Sequence, residues 1–119
     1  MKTKNSKKYT DNELYLLIQQ KDKRGFDQLY NQYSCMLYGL ALQSVRSREY
    51  AEEITTLTFE NAWKSIQSYN HEKVKLQMWM VCLLIRSTKD YLSKKSLSYT
   101  FNTDNFPNFS FDIIQEKAC

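Results

Sequence analysis

Apolar residues recur at steps of three and four along most of this chain, the spacing of one helical face rather than the alternation of a strand. The longest run is Phe26, Leu29, Tyr30, Tyr33, Met36, Leu37, Leu40 and Ala41. It predicts a long helix beginning after a turn at 21–25. A shorter helix is expected before it, where Thr10, Asp11, Asn12 and Glu13 form a capping box ahead of Leu14, Leu17 and Ile18 and the pattern fades near Gln20. A third begins at Ser47, a capping residue followed by Glu49, Glu52 and Glu53 at the positive helix end, and reaches about Gln67. Its inward arc is Ala51, Ile54, Thr58, Phe59, Ala62 and Trp63. Residues 68–75 have no period and read as a loop; the apolar run from Met78 to Ile85 then opens a fourth helix, expected to be the most buried, with Cys82 as a small core residue.

The outward arc of the third helix carries one anomaly. Leu57 falls among Glu53, Thr56, Glu60 and Asn61, where an apolar side chain ringed by polar groups marks the centre of a docking surface. Leu57 is expected to be exposed in the free protein and covered in a complex.

After Lys95 the pattern changes. Tyr99, Phe101, Phe106, Phe109 and Phe111 are separated by Asn, Ser, Thr and Pro107, which suits an extended strap, with a short helix from Asp112 to Lys117. The fold class that follows is all-α, a compact bundle of about four helices with an irregular aromatic C-terminal tail. Three divisions are expected: a basic arm at 1–10, a helical domain at 11–95 and a linker-like tail at 96–119 that packs on the domain.

Composition sharpens this. Two glycines and one proline in 119 residues leave few breakers, as a helical chain requires. The cysteines, Cys35, Cys82 and Cys119, are odd in number and far apart, so no disulfide framework or zinc site is expected, and a reducing cytoplasm fits. The apolar run is too short to span a bilayer, so no membrane insertion is expected. The net charge of +4 gathers at Lys2, Lys4, Lys7 and Lys8 and again at Arg86, Lys89, Lys94 and Lys95, which suits a polyanionic partner as well as plain solvation.

Catalytic chemistry finds little support. His71 is the one histidine and stands in a loop with no cluster around it, there is no glycine-rich phosphate cradle, and Glu49, Glu52 and Glu53 are ordinary partners of a helix dipole. The chain reads as a binding module without enzymatic activity, metal or cofactor.

The order of motifs carries a resemblance. The opening D-x-E-L-x-x-x-I (Asp11, Glu13, Leu14, Ile18), the F-x-x-L-Y-x-x-Y of Phe26, Leu29, Tyr30 and Tyr33, the A-E-E-I of Ala51 to Ile54 and the F-x-x-x-W of Phe59 and Trp63 come first. Tyr69-Asn70, Trp79 and Asp90-Tyr-Leu follow. Together they resemble the region-two domain of bacterial RNA polymerase sigma factors, in the extracytoplasmic-function (ECF) group of the sigma-seventy family, from about Asp11 to Lys95. The resemblance implies a helical transcription initiation factor module that docks on the clamp of the largest subunit of core RNA polymerase and recognises and opens minus-ten promoter DNA. It implies clamp contacts at Glu52, Glu53, Thr56, Leu57 and Glu60, and DNA contacts at Tyr69, Asn70, Lys73, Lys75, Gln77, Arg86, Lys89, Lys94 and Lys95. An anti-sigma factor is a further partner it implies.

Tyr69 and Trp79 also suit simpler parts, a loop anchor and a core tryptophan. The chain departs from the family at Thr56 and Leu57, where a Gln and an acidic residue are usual, at Arg86 in place of an Asn, and at Ser93-Lys94 in place of an Arg pair, which loses the planar guanidinium fork. ECF sigma factors continue into a helix-turn-helix domain; here the aromatic, acidic tail takes the place of the interdomain linker. Two other readings stand beside the first: a degenerate sigma-like interaction protein that occupies the clamp or an anti-sigma factor without promoter recognition, and a helical DNA-binding regulator unrelated to polymerase.

Overall fold

The structure is a computed structural model that describes residues 9–70, 72–104 and 108–114. Lys2, Lys4, Lys7, Lys8, His71, Phe106, Pro107 and Cys119, and the end of the expected helix at 112–117, lie outside the described residues.

Four helices form the bundle: α1 (Asp11–Gln19), α2 (Lys23–Val45), α3 (Arg48–Ser65) and α4 (Leu76–Lys94), with a single 3₁₀ turn at Ile66–Ser68. The capping box at the start of α1 is formed. The Glu13 amide donates to Thr10 Oγ1 at 3.1 Å and the Thr10 amide to Glu13 Oε1 at 2.9 Å. α1 ends with Lys21 in the left-handed region (φ 60), its amide bonded to the Ile18 carbonyl and that of Asp22 to the Leu17 carbonyl. Asp22 then caps α2 through the Arg24 amide at 2.9 Å.

The second helix therefore starts earlier than its apolar pattern suggested. Lys23, Arg24 and Gly25 are helical because Asp22 supplies the cap, and Gly25 is there because α1 crosses at that point. A Cβ on Gly25 would lie 2.5 Å from Leu17 Cβ.

The inner faces are apolar and meet in one core. Leu14, Ile18, Leu29, Leu37, Ile54, Met80 and Leu84 are fully buried, and each such side chain stabilises the fold by roughly 1.5–3 kcal/mol relative to exposure. Buried hydroxyls find carbonyls of their own helix: Thr55 Oγ1 donates to Ala51 (2.7 Å), Thr58 to Ile54 (2.8 Å) and Thr88 to Leu84 (2.7 Å). α3 packs against both α2 and α4, and Asn61 Nδ2 donates to Ser87 Oγ at 3.0 Å across the second of these seams.

α4 buries Leu76, Met80, Val81, Leu83, Leu84, Ser87, Thr88 and Leu92, but not Cys82. Cys82 is exposed, correcting the expectation of a core residue. It lies two positions from both Met80 and Leu84, which puts it across the helix from their face.

The tail is extended, as its alternating aromatics predicted, and closes into a hairpin of β1 (Ser98–Asn102) and β2 (Ser110–Ile114). Antiparallel register sets Phe101 opposite Phe111, with ring centroids 4.6 Å apart, and Tyr99 opposite Ile113. A two-stranded ribbon is marginal alone; here β2 packs on α2 and β1 on α4, with Phe111 only 1% exposed. The helix expected from Asp112 is replaced by β2 up to Ile114, because pairing with β1 satisfies its backbone. Arg46, left-handed at the end of α2, reaches Asp112 Oδ1 at 2.9 Å.

Candidate functional site

α3 presents its polar arc between two surface depressions. Ser47 caps the helix by accepting from the Tyr50 amide at 3.2 Å, and the burial of Ala51, Ile54, Thr58, Phe59 and Ala62 fixes its rotation. That rotation points Glu52, Glu53, Thr56 and Glu60 into solvent. Leu57 is half-buried, outside the core cluster but less open than its sequence neighbours suggested.

One depression, about 530 Å³, holds Glu52, Glu53, Thr56, Leu57 and Glu60 together with Tyr91 and Lys94 from the end of α4. All five residues expected to meet a partner through α3 thus share one concave surface. The second depression, about 340 Å³, lies on the α2 side, where Tyr30, Ser34, Cys35 and Tyr38 face Glu52, Thr55 and Thr56. Glu52 and Thr56 form the ridge between them.

Tyr91 was not singled out from sequence. Its hydroxyl donates to the Glu53 carboxylate, its ring meets Tyr50 edge-on at 5.5 Å, and Lys95 Nζ stands 5.3 Å from its centroid. Burial first, then the Glu53 hydrogen bond and charge, push its hydroxyl well above the ordinary tyrosine range. The signal was present in Asp90-Tyr-Leu, but the pairing with Glu53 spans α3 and α4 and has no local signature.

The residues expected to contact DNA are divided by the fold. Tyr69, Asn70, Lys73, Lys75 and Gln77 gather at the start of α4, while Lys94 and Lys95 lie at its far end, about 27 Å away for a helix of this length. Lys94 lines the acidic depression, and Lys95 Nζ is also 5.7 Å from the Tyr50 ring. Lys89 Nζ stands 4.5 Å over the Phe101 ring of the hairpin, and Arg86 is exposed between the two ends.

At the loop, Tyr69 is 5% exposed, which corrects any picture of a ring offered to solvent. It anchors the loop: its hydroxyl donates to the Val74 carbonyl at 2.7 Å, and its ring sits 5.4 Å from Tyr15 and 5.0 Å from Trp79. Burial, with smaller contributions from Asp11 and Tyr15, raises its pKa. Asn70 Oδ1 accepts from the Glu72 amide at 2.9 Å and the Asn70 carbonyl from the amides of Lys73 and Val74. Lys73, Lys75 and Gln77 are exposed.

Among the described residues no cluster of His, Cys, Asp or Glu is placed to hold a metal ion, and no helix is long and apolar enough to cross a membrane.

The family described as sigma-70 region 2 matches residues 29–97. The chain is also similar to the ECF RNA polymerase sigma factor SigM of Bacillus subtilis (strain 168), with 27% identity over 92 residues, 77% of this chain and 55% of that protein. It thus spans about half the length of the curated relative it matches. The hairpin β1–β2 lies beyond the family match.

Proposed function

The chain belongs to the sigma-70 region 2 family, and we propose that it acts in transcription initiation by docking on the clamp of core RNA polymerase through α3 and holding minus-ten promoter DNA at the loop before α4. The observation that carries the first half is the depression in which Glu52, Glu53, Thr56, Leu57 and Glu60 converge. Half-buried Leu57 supplies an apolar centre and the carboxylates a charged rim, the anatomy of a specific interface. The ridge of Glu52 and Thr56 with a hollow on each side suits a paired-helix partner that straddles it.

For DNA, the loop offers Lys73, Lys75, Asn70 and Gln77 on a turn held rigid by buried Tyr69. Separating a base-pair step loses roughly 0.6–2.2 kcal/mol of stacking, and a captured base returns about 1–3 kcal/mol. A module of this size therefore traps a base or two of a strand that polymerase helps to open.

Gel filtration with core polymerase tests the docking. The wild-type chain should co-elute, and Leu57→Asp and Glu60→Lys should abolish co-elution while both variants remain folded, since neither side chain is in the core. Absence of wild-type co-elution would remove the proposal.

A second reading draws on the burial of Tyr69 and the placement of Lys94 and Lys95 beside carboxylates and tyrosines: an interaction protein that occupies the clamp or an anti-sigma factor without reading promoters. Binding of a single-stranded minus-ten oligonucleotide in the presence of core enzyme separates the two. Retention of the strand, lost with Lys73→Ala and Lys75→Ala together, favours the first.

A further inference from the structure

Two other depressions on the molecule share a wall at Asn108. One, about 330 Å³, is lined by Met36 and Leu40 of α2 and Met78 and Val81 of α4, with Lys75, Gln77 and Asn108. The other, about 270 Å³, is walled by the same Asn108 with Gln43, Arg46, Asn102, Phe109 and Ser110. Met36, Leu40 and Gln43 follow one another at steps of four and three, so they line a single stripe of α2. From Met36 to Arg46 that stripe is about 15 Å long.

Charge sets this furrow apart. The hollows beside α3 contain Glu52, Glu53 and Glu60, and the lysine-rimmed hollow at Trp63 contains Glu60. Among the described residues neither part of the furrow is lined by a carboxylate; Lys75 lines one part, and Arg46, paired with Asp112 at 2.9 Å, lines the other.

The chemistry between the cations changes along the way. Apolar side chains come first, with Met78 41% exposed, and offer a flexible surface against the flat faces of bases. Carboxamides follow, from Gln43, Asn102 and Asn108, with the Ser110 hydroxyl. A carboxamide both donates and accepts, as the edge of a base requires. Asn102 Oδ1 already accepts from the Asp104 amide at 2.8 Å, which leaves its NH₂ to donate. Arg46 gives one nitrogen to Asp112 and retains further donors for a phosphate.

We propose that this furrow is a track for single-stranded DNA, carrying the strand from the loop at 70–75 along α2 and onto the C-terminal hairpin. It rests on the reading that the loop holds the promoter strand. It gives the hairpin, which lies outside the family match, a part in binding.

The test compares three oligonucleotides on the full chain in complex with core polymerase: a short strand spanning the loop site, and the same strand lengthened by a few nucleotides at the 5′ or the 3′ side. One lengthened strand should bind about tenfold more tightly, the gain expected from one or two additional held bases. Gln43→Ala with Asn102→Ala should remove that gain and leave the short strand's affinity unchanged. Equal affinity for all three strands overturns the track while the loop reading stands, as does a double variant that keeps the gain. Failure of even the short strand to bind sinks the loop reading and the track with it. Displacement of the lengthened strand by polyglutamate as readily as by single-stranded DNA would assign the furrow to an acidic peptide instead, and also overturns the proposal.

Discussion

Gly25 and Gly39 share α2 but answer different needs. A Cβ on Gly25 would meet Leu17 Cβ at 2.5 Å and the Ile18 backbone nitrogen at 3.0 Å, whereas a Cβ on Gly39 would meet nothing within 4 Å. Gly25→Ala should therefore destabilise the fold by about 1–3 kcal/mol through overpacking. Gly39→Ala should stabilise it by about 0.8–1 kcal/mol, the difference in helix propensity at an open site. Urea denaturation of both variants checks the pair, and equal shifts of one sign would contradict the close crossing of α1 and α2. None of the positive-φ positions is a glycine; Lys21, Arg46 and Ser96 fill them. Sequence scanning for glycine stops could not have found those helix ends, because the tertiary contact at Gly25 had claimed one glycine and the rest of the fold tolerates strain at three polar residues.

Asp22 and the hairpin show how elements are joined. Asp22 closes α1 through its backbone and opens α2 through its side chain, so two helices turn over a few residues. Asp22→Ala should cost about 1 kcal/mol, the usual worth of an N-cap, read as a lowered melting temperature. Its ion pair with Arg24 at 2.7 Å adds little, because the arginine side chain is largely in water. The hairpin is held differently. Phe111 is 1% exposed and pairs with Phe101 across the ribbon while resting on the helices. Phe111→Ala should cost about 3–5 kcal/mol, and thermal denaturation would show a loss far smaller than this if the hairpin were a loosely attached tail. That the tail is extended was legible from its alternation of aromatic and polar residues. That it pairs with itself and replaces a helix at Asp112 was not, since the pairing depends on a surface of α2 and α4 that no local window contains.

At the scale of the molecule, buried tyrosines tie distant segments together and make stability depend on alkaline pH. Burial first, then the Asp11 charge and hydrogen bond, raise Tyr33 from 10.0 to about 12. Burial and Glu53 move Tyr91 the same way. The folded state holds these protons more tightly than the unfolded chain, so stability is fully present below pH 10 and falls as pH rises from 10.0 to about 12. The difference in urea midpoint between wild type and Tyr33→Phe should shrink across that interval; a constant difference would mean that folding does not raise the Tyr33 pKa. Asp11 and Tyr33 both belong to motifs visible in the chain, yet only folding brings them together.

The sequence alone determined the helices and their inner faces, because apolar periodicity and capping chemistry act over a few neighbouring residues. It also determined the family, whose match over residues 29–97 takes in AEEI and FENAW. Tertiary structure decided which surfaces exist. It drew Tyr91 and Lys94 into the hollow of Glu53 and Leu57, buried Tyr69 as a loop anchor, turned Cys82 outward and packed the hairpin on α2. Each of these depends on contacts between elements far apart in the chain, where rotation and crossing of whole helices set the outcome and residue spacing does not.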